Sequence, residues 1–344
     1  MSNDIKTMKA WQLQGFGIGN LKLISAAIPT PGKNEILVKV GAVSLNFRDK
    51  AIIDQMYFPE MMKFPFTPVS DLSGKVVAVG DAVTRFQTGD RVVSHLYGNW
   101  IHGKQHTLET TSSGLGGPLD GGLAEYVLLD EQAAVATPSF LTDEQAATLP
   151  IAALTAFFAL TVHGNIAKGQ TVLVQGTGGV SMFTLQIAKA LGAKVIVTSS
   201  SDEKLEKAKA LGADEIINYK TTPEWHLEAL KLTGGLGVDH ILEVVGGENF
   251  EKSVDAAAFG GQIHVIGFLN GTHSNTAMLT IIFRAIKING ILVGNRDSFE
   301  TLNLLLDQHK IEPIIDTVYS FEDAEKAYEH IERGAFGKLV IKVS

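Results

Sequence analysis

A chain of 344 residues exceeds the usual single core, so about two domains are expected. With 45% hydrophobic residues, 19% charged residues, 35 glycines and a net charge of −8, the composition is that of a globular, turn-rich protein without the basic face that nucleic acid or an anionic membrane requires. There is no cysteine, which excludes disulfides, thiolate nucleophiles and Cys-ligated zinc or iron–sulfur centres.

The first residues, MSNDIKTMKAW, lack the apolar core and cleavage site of a leader. The most apolar stretch, residues 151–162, is shorter than the roughly 20 residues of a spanning helix, so a cytoplasmic protein is expected. From Lys9 to about Val135, short β-rich runs (EILVKVGAVSL, GKVVAVG, DRVVSHLYG, AEYVLL) are separated by Gly, Pro and Asp, as in an irregular β-barrel or sandwich. A helix over 142–163 opens with Thr142 and Gln145 at capping-box spacing. Apolar strands at 171–175, 194–199, 214–218, 238–245 and 261–267 then alternate with helical stretches, which predicts a doubly wound parallel sheet of Rossmann type. A helix at 321–334 and a closing strand, GKLVIKV, return to the first domain. The expected division is 1–135, completed by 302–344, around a dinucleotide-binding domain at 136–301.

The stretch VLVQGTGGVSMFTLQIAKALGAKVIVTSSSDEKL (172–205) carries the clearest chemistry. Gly176, Thr177, Gly178, Gly179 and Val180 join a strand to a helix, so backbone N–H groups can approach a pyrophosphate with no Cβ in the way. The alternative is a tight strand-to-helix turn with no ligand, and Ser181 stands where a third glycine is usual. At the next strand end, where an acidic residue often holds the ribose of NAD, this chain has Ser199, Ser200 and Ser201. Ser200 and Glu203 also fit a capping box for a helix over 201–211. Hydroxyls at Ser199 and Ser200 with the ammonium of Lys204 suit a 2′-phosphate, so NADP(H) is favoured over NAD(H). His95, His102 and His106 form the one histidine group with metal-like spacing; Gly103 interrupts it and no acid lies close, so no metal site is expected.

The order of a β-rich domain, a strand leading to GTGGVS, LGA at 191–193 and LGAD at 211–214 before INY resembles the medium-chain dehydrogenase/reductase superfamily. SLNFRD (44–49), GKVVAVGDAVTRFQTGDRV (74–92), GGLAEYV (121–127), AATLPIAALTAFFAL (146–160) and the closing GKLVIKV resemble its zinc-independent quinone oxidoreductase branch. The resemblance implies a GroES-like first domain and a Rossmann second domain. It also implies that Asn46, the Ser70–Asp71 pair and Pro150 stand where zinc-dependent members carry metal ligands. It places Asn46 and Asp49 around the nicotinamide and Thr155 beside the carboxamide. Arg48 then either polarises a substrate oxygen or pairs with Asp49. Ala51 replaces a tyrosine common in the branch, which leaves Tyr57 or water as proton donor. Strand-end positions add Tyr219, Gly246, Gly267, Phe268, Gly294 and Asn295 as cofactor contacts, each equally readable as a turn or core residue.

The expected activity is zinc-independent hydride transfer from NADPH to a quinone or α,β-unsaturated carbonyl. The alternatives are a metal-free NADP-dependent alcohol or aldehyde dehydrogenase and a cofactor-binding protein with little turnover. Loops 53–66, 96–118 and 269–284 are expected to shape the substrate pocket. The apolar run 285–295, including Ile291 and Val293, is expected to pair two copies into a homodimer.

Overall fold

The computed structural model describes residues 6–344, so the first five residues of the MSNDIKTMKAW stretch lie outside the described residues. The chain divides into two compact units. One runs to Ala152 and resumes over Asn295–Ser344, and the other spans Ala153–Gly294.

The first unit opens with an antiparallel pair, β1 (Thr7–Leu13) and β2 (Leu21–Ala27). The long strand β3 (Glu35–Leu45) leads directly into α1 (Phe47–Ile53). After it come β4 (Asp71–Val79), β5 (Arg91–Ser94), α2 (Leu108–Thr111), β6 (Tyr126–Asp130), β7 (Ala134–Ala136) and α3 (Asp143–Ala146). The expected capping box forms at α3, where Gln145 N donates to Thr142 Oγ1 at 3.2 Å and Thr142 N to Gln145 Oε1 at 3.0 Å. The single helix expected over 142–163 does not form. The chain is α-helical at 143–146, π-helical at 149–153, α-helical again in α4 (Leu154–Phe157) and π-helical at 158–163. Pro150 has no N–H and disfavours helical geometry in the residue before it, so a regular ladder cannot run through.

The second unit continues through β8 (Thr171–Gln175), α5 (Gly179–Ala190), β9 (Lys194–Ser199), α6 (Asp202–Ala210), β10 (Glu215–Asn218) and α7 (Trp225–Leu232). It closes with β11 (Val238–Glu243), α8 (Asn249–Ala256), β12 (Ala257–Val265), α9 (Met278–Arg284) and β13 (Lys287–Gly290). Its sheet has the order β10-β9-β8-β11-β12-β13 with every pairing parallel. Strand order reverses between β8 and β11, and that switch point is where open α/β sheets bind ligands. Leu173, Ile196, Ile241 and Ile263 from the four central strands are buried with Trp225 and Val254 in one apolar cluster.

The chain re-enters the first unit through α10 (Arg296–His309), β14 (Ile315–Ser320), α11 (Ala324–Arg333) and β15 (Lys338–Lys342). β15 pairs antiparallel with β3, so GKLVIKV does complete the first unit's sheet, ordered β14-β15-β3-β4-β5-β7 with β6 also on β3. Both unit boundaries fall away from the expected 135/136 and 301/302. Asp143 accepts from Ser73 Oγ at 3.2 Å and from Arg91 at 2.6 Å, which holds α3 to the first unit. The start of α10 is tied to the same unit by Arg296 N to Trp100 O and Asp297 N to Ile101 O, both 3.0 Å.

Candidate active site

In the second unit the glycine-rich turn has open space where a ligand would approach. Gly176 adopts φ +70°, and a Cβ built on Gly176 or Gly178 would meet nothing within 4 Å. Thr177 is buried, while Gly179 and Val180 start α5 half-buried. Ser181, the departure from the usual third glycine, donates its hydroxyl to Gln175 O at 2.8 Å and closes the turn from inside. A twelve-residue helix whose first N–H groups border this open turn suits a pyrophosphate.

At the adenosine end, Ser199 is buried and Ser200 half-buried at the end of β9. Tyr219 lies one strand over, its N–H donating to Ser199 O at 3.0 Å. The helix cap is Ser201, whose Oγ accepts from Lys204 N at 3.3 Å; the Ser200–Glu203 box does not form, and Glu203 pairs with Lys207 instead. The helix starts one residue later than the box requires, which leaves Ser200 outside it. Asp202, one residue past the three serines, accepts from Asn218 Nδ2 at 2.6 Å.

The remaining glycine candidates differ from Gly176 and Gly178. A Cβ on Gly246 would stand 3.0 Å from Phe268 Cα, one on Gly267 would strike Val244 O, and one on Gly294 would stand 3.0 Å from Leu154 and Phe158. These three are glycines because backbone and side chains of the same unit press on them. Thr155 is 2% exposed within α4. Asn295 belongs to the first unit, and its amide caps α10 through Ser298 N (2.8 Å) while donating to Gly103 O (2.7 Å).

In the first unit the SLNFRD stretch builds a polar cluster. Asn46 caps α1, and Asp49, 1% exposed, accepts from Asn46 N at 2.8 Å and from Ser70 N at 3.3 Å. Asn46 Nδ2 donates to Asp71 Oδ2 at 2.9 Å, and Asn46 Oδ1 accepts from Lys338 Nζ at 2.6 Å. A carboxylate only accepts and an ammonium only donates, so these two neighbours fix which way the amide points. Asp71 and Lys338 are 0% and 3% exposed, and 3.9 Å separates Lys338 Nζ from Asp71 Oδ2. Burial raises both carboxyls, Asp71 and Asp49, above the ordinary range and lowers the Lys338 ammonium, with their mutual attraction opposing it.

The ion pair of Arg48 with Asp49 is absent among the described residues. Arg48 donates instead to Ser70 Oγ at 2.8 Å, to Leu115 O at 3.1 Å and to Gly117 O, bracing the loop at 115–117. Its guanidinium lies 5.3 Å from the centre of the Tyr57 ring, and burial pushes up the phenol of Tyr97. Lys338 and Tyr97 are participants that motif matching did not select. The signal for Lys338 was a charge inside an apolar strand, where it survives only if paired.

The positions of the family's metal ligands do not fit a zinc ion. Asn46 and Asp71 are bonded to each other, Ser70 to Arg48, and among the described residues no three His, Asp or Glu side chains converge. His95 is buried, while His102 and His106 are exposed.

Comparison with known proteins agrees with this architecture. The family model described as alcohol dehydrogenase GroES-like domain matches residues 32–139, and that described as zinc-binding dehydrogenase matches residues 179–308. A zinc-type alcohol dehydrogenase-like protein of Schizosaccharomyces pombe is 41% identical over 95% of this chain and 96% of its own. A chloroplastic quinone-oxidoreductase of Triphysaria versicolor is 32% identical over 98% of this chain and 99% of its own. A solved structure from Sinorhizobium meliloti 1021, described only as a candidate alcohol dehydrogenase, superposes with a TM-score of 0.92 at 44% identity, covering 98% of this chain and 99% of that one. With its GroES-like and Rossmann units, this chain belongs to the medium-chain dehydrogenase/reductase superfamily of oxidoreductases that use a nicotinamide cofactor.

Proposed function

We propose that the protein is an NADPH-dependent reductase of quinones or α,β-unsaturated carbonyls that works without zinc. The observation that carries this reading is the Asn46–Asp71–Lys338 network: Asn46 and Asp71 stand where zinc-dependent relatives carry ligands, and they are bonded to each other with the Lys338 ammonium beside both. Without a Lewis acid to polarise a simple carbonyl, acceptors that are already electrophilic are favoured. The bound nicotinamide supplies the hydride. The chain's part is to hold the pyrophosphate at the open Gly176–Gly178 turn and to fix Asn46, whose second Nδ2 hydrogen is left for an acceptor oxygen. For an enone, hydride adds to the β-carbon and one proton to the resulting enolate, and the Tyr57 phenol or water provides that proton.

NADPH rather than NADH is inferred from Ser199 and Ser200 at the end of β9 with Lys204 on the first turn of α6. A homodimer is inferred as well, because β13 is the edge of its sheet and Met278, Leu279, Ile282 and Phe283 of the adjacent α9 are 67–77% exposed.

The test is a panel of quinones, enones, simple aldehydes and alcohols followed by NADPH absorbance, with and without a chelator, in the unmodified chain and Ser199→Asp. Quinones or enones should turn over with NADPH in the presence of chelator. Ser199→Asp should erase or reverse the preference over NADH, because it restores a ribose acceptor and repels the 2′-phosphate. Faster alcohol oxidation than enone reduction would select the metal-free alcohol dehydrogenase reading, and loss of activity on chelation would overturn the zinc-independent mechanism itself. Tight NADPH binding with no turnover across the panel would select a cofactor-binding protein.

A further inference from the structure

The two turns on either side of the sheet's switch point are joined by side chains at the ends of their strands. Gln175 is the last residue of β8 and precedes the glycine-rich turn; Glu243 is the last residue of β11 and precedes the turn at 244–247. They are 2% and 0% exposed. Gln175 Nε2 donates to Glu243 Oε2 at 2.8 Å, and Gln175 Oε1 accepts from Val244 N at 3.3 Å. Glu243 Oε1 accepts from Val245 N and Gly246 N, both at 2.9 Å. Asn249 Nδ2 reaches both carboxylate oxygens at 3.2–3.3 Å, and the Ser253 hydroxyl donates to Oε2.

A carboxylate this deep is costly unless its lone pairs are filled, and here neutral donors fill them. The arrangement does more than satisfy the charge. The N–H groups of Val245 and Gly246 point inward to Glu243, so they are not offered to an anion, whereas the turn after β8 leaves the space at Gly176 and Gly178 open. The pyrophosphate therefore belongs to the β8 turn. Because the adenosine ribose lies toward the end of β9, on one side of β8, the rest of a dinucleotide must run toward β11, on the other.

We propose that Gln175 and Glu243 are a cofactor-positioning pair: they fix the distance between the two turns so that the β11 turn meets the half of the cofactor beyond the pyrophosphate. The proposal rests on nicotinamide dinucleotide binding and is independent of the acceptor and of the preference between NADPH and NADH.

The test is equilibrium binding by calorimetry of whichever of NADPH and NADH binds more tightly, beside its adenosine half alone, adenosine 2′,5′-bisphosphate or AMP respectively. Glu243→Gln and Gln175→Leu should weaken the dinucleotide at least tenfold and leave the adenosine half within twofold. The exchange variant Gln175→Glu with Glu243→Gln, which restores a donor opposite an acceptor, should recover most of the loss. Ser253→Ala removes one donor to Glu243 and one acceptor of Gln175 Nε2 without touching the charge, so it should fold where the larger changes fail and should weaken the dinucleotide about threefold. Equal losses for dinucleotide and adenosine half would reduce the pair to a folding role and overturn the proposal, as would unchanged dinucleotide binding in Ser253→Ala. No dinucleotide binding by the unmodified chain would instead overturn the cofactor reading beneath it.

Discussion

Lys338 shows how much one side chain carries in the first unit. It is buried against Asp71, it donates to Leu45 O at 2.8 Å, and it holds the carbonyl end of the Asn46 amide. Replacing it with Met leaves a buried carboxylate without its cation and Asn46 Oδ1 without its donor. Removing one partner of such a pair costs about 3–5 kcal/mol, so Lys338→Met should lower the unfolding free energy in urea by that order. Adding Asp71→Asn should restore part of it, because the unpaired charge is gone. A single variant within about 1 kcal/mol of the unmodified chain would show that Lys338 does not stabilise the cluster. The chemistry of this cluster was half legible in the sequence. NFRD marked Asn46 and Asp49 by resemblance, but a partner 292 positions away cannot be read from a motif. Arg48 reads equally as a substrate contact or an ion pair, whereas in the fold it braces the 115–117 loop.

At the scale of elements, the strands of the parallel sheet were legible because their apolar runs are continuous, and observed and expected ends agree to within a few residues. What sat inside those strands was not. His240 of β11 and His264 of β12 are both fully buried, their rings parallel to within 10° at 5.6 Å. Gln170 Oε1 accepts from Ala167 N, so His240 Nε2 donates to it at 3.1 Å. With burial keeping both rings neutral, His240 Nδ1 is left to accept from His264 Nε2 at 3.3 Å. Burial lowers both groups, and His264 falls to about 3 with His240 and His163 adding repulsion. The unfolded chain binds protons below about pH 6.5 that the folded chain refuses, so stability from this pair is present above that pH and is lost as pH falls. Buried Asp71, raised in the fold, has the opposite sign, and a comparison of variants at the same two pH values cancels it. Between pH 7.5 and 5.5 the unmodified chain should lose about 1 kcal/mol more than His264→Leu in chemical denaturation. Equal losses would mean that His264 is solvated or protonated in the fold.

For the whole molecule, the parallel sheet and the return of the last strand follow from pattern. The division into compact units at 152 and 294 does not, because it depends on side-chain ties such as Asp143 to Arg91 that no local signal announces. The inferred dimer turns on the same distinction. Ile291 and Val293, natural choices for an edge substitution from the sequence, are 8% and 7% exposed, so Lys at either would disturb the unit's own packing. The edge β13 instead presents Ile288 at 45% exposure, beside α9 with Ile282 at 69% and Phe283 at 77%. Unpaired backbone on an edge strand next to a contiguous apolar helix face invites another chain, and a second copy related by a two-fold axis closes the contact without leaving a further edge. Light scattering at micromolar concentration should therefore give twice the 36.9 kDa of one chain. Ile288→Lys with Phe283→Glu should give the single-chain mass while keeping the melting temperature of a folded protein, because both side chains point away from the core. A monomer from the unmodified chain would refute the dimer, and a dimer that survives the double substitution would place the interface on another face.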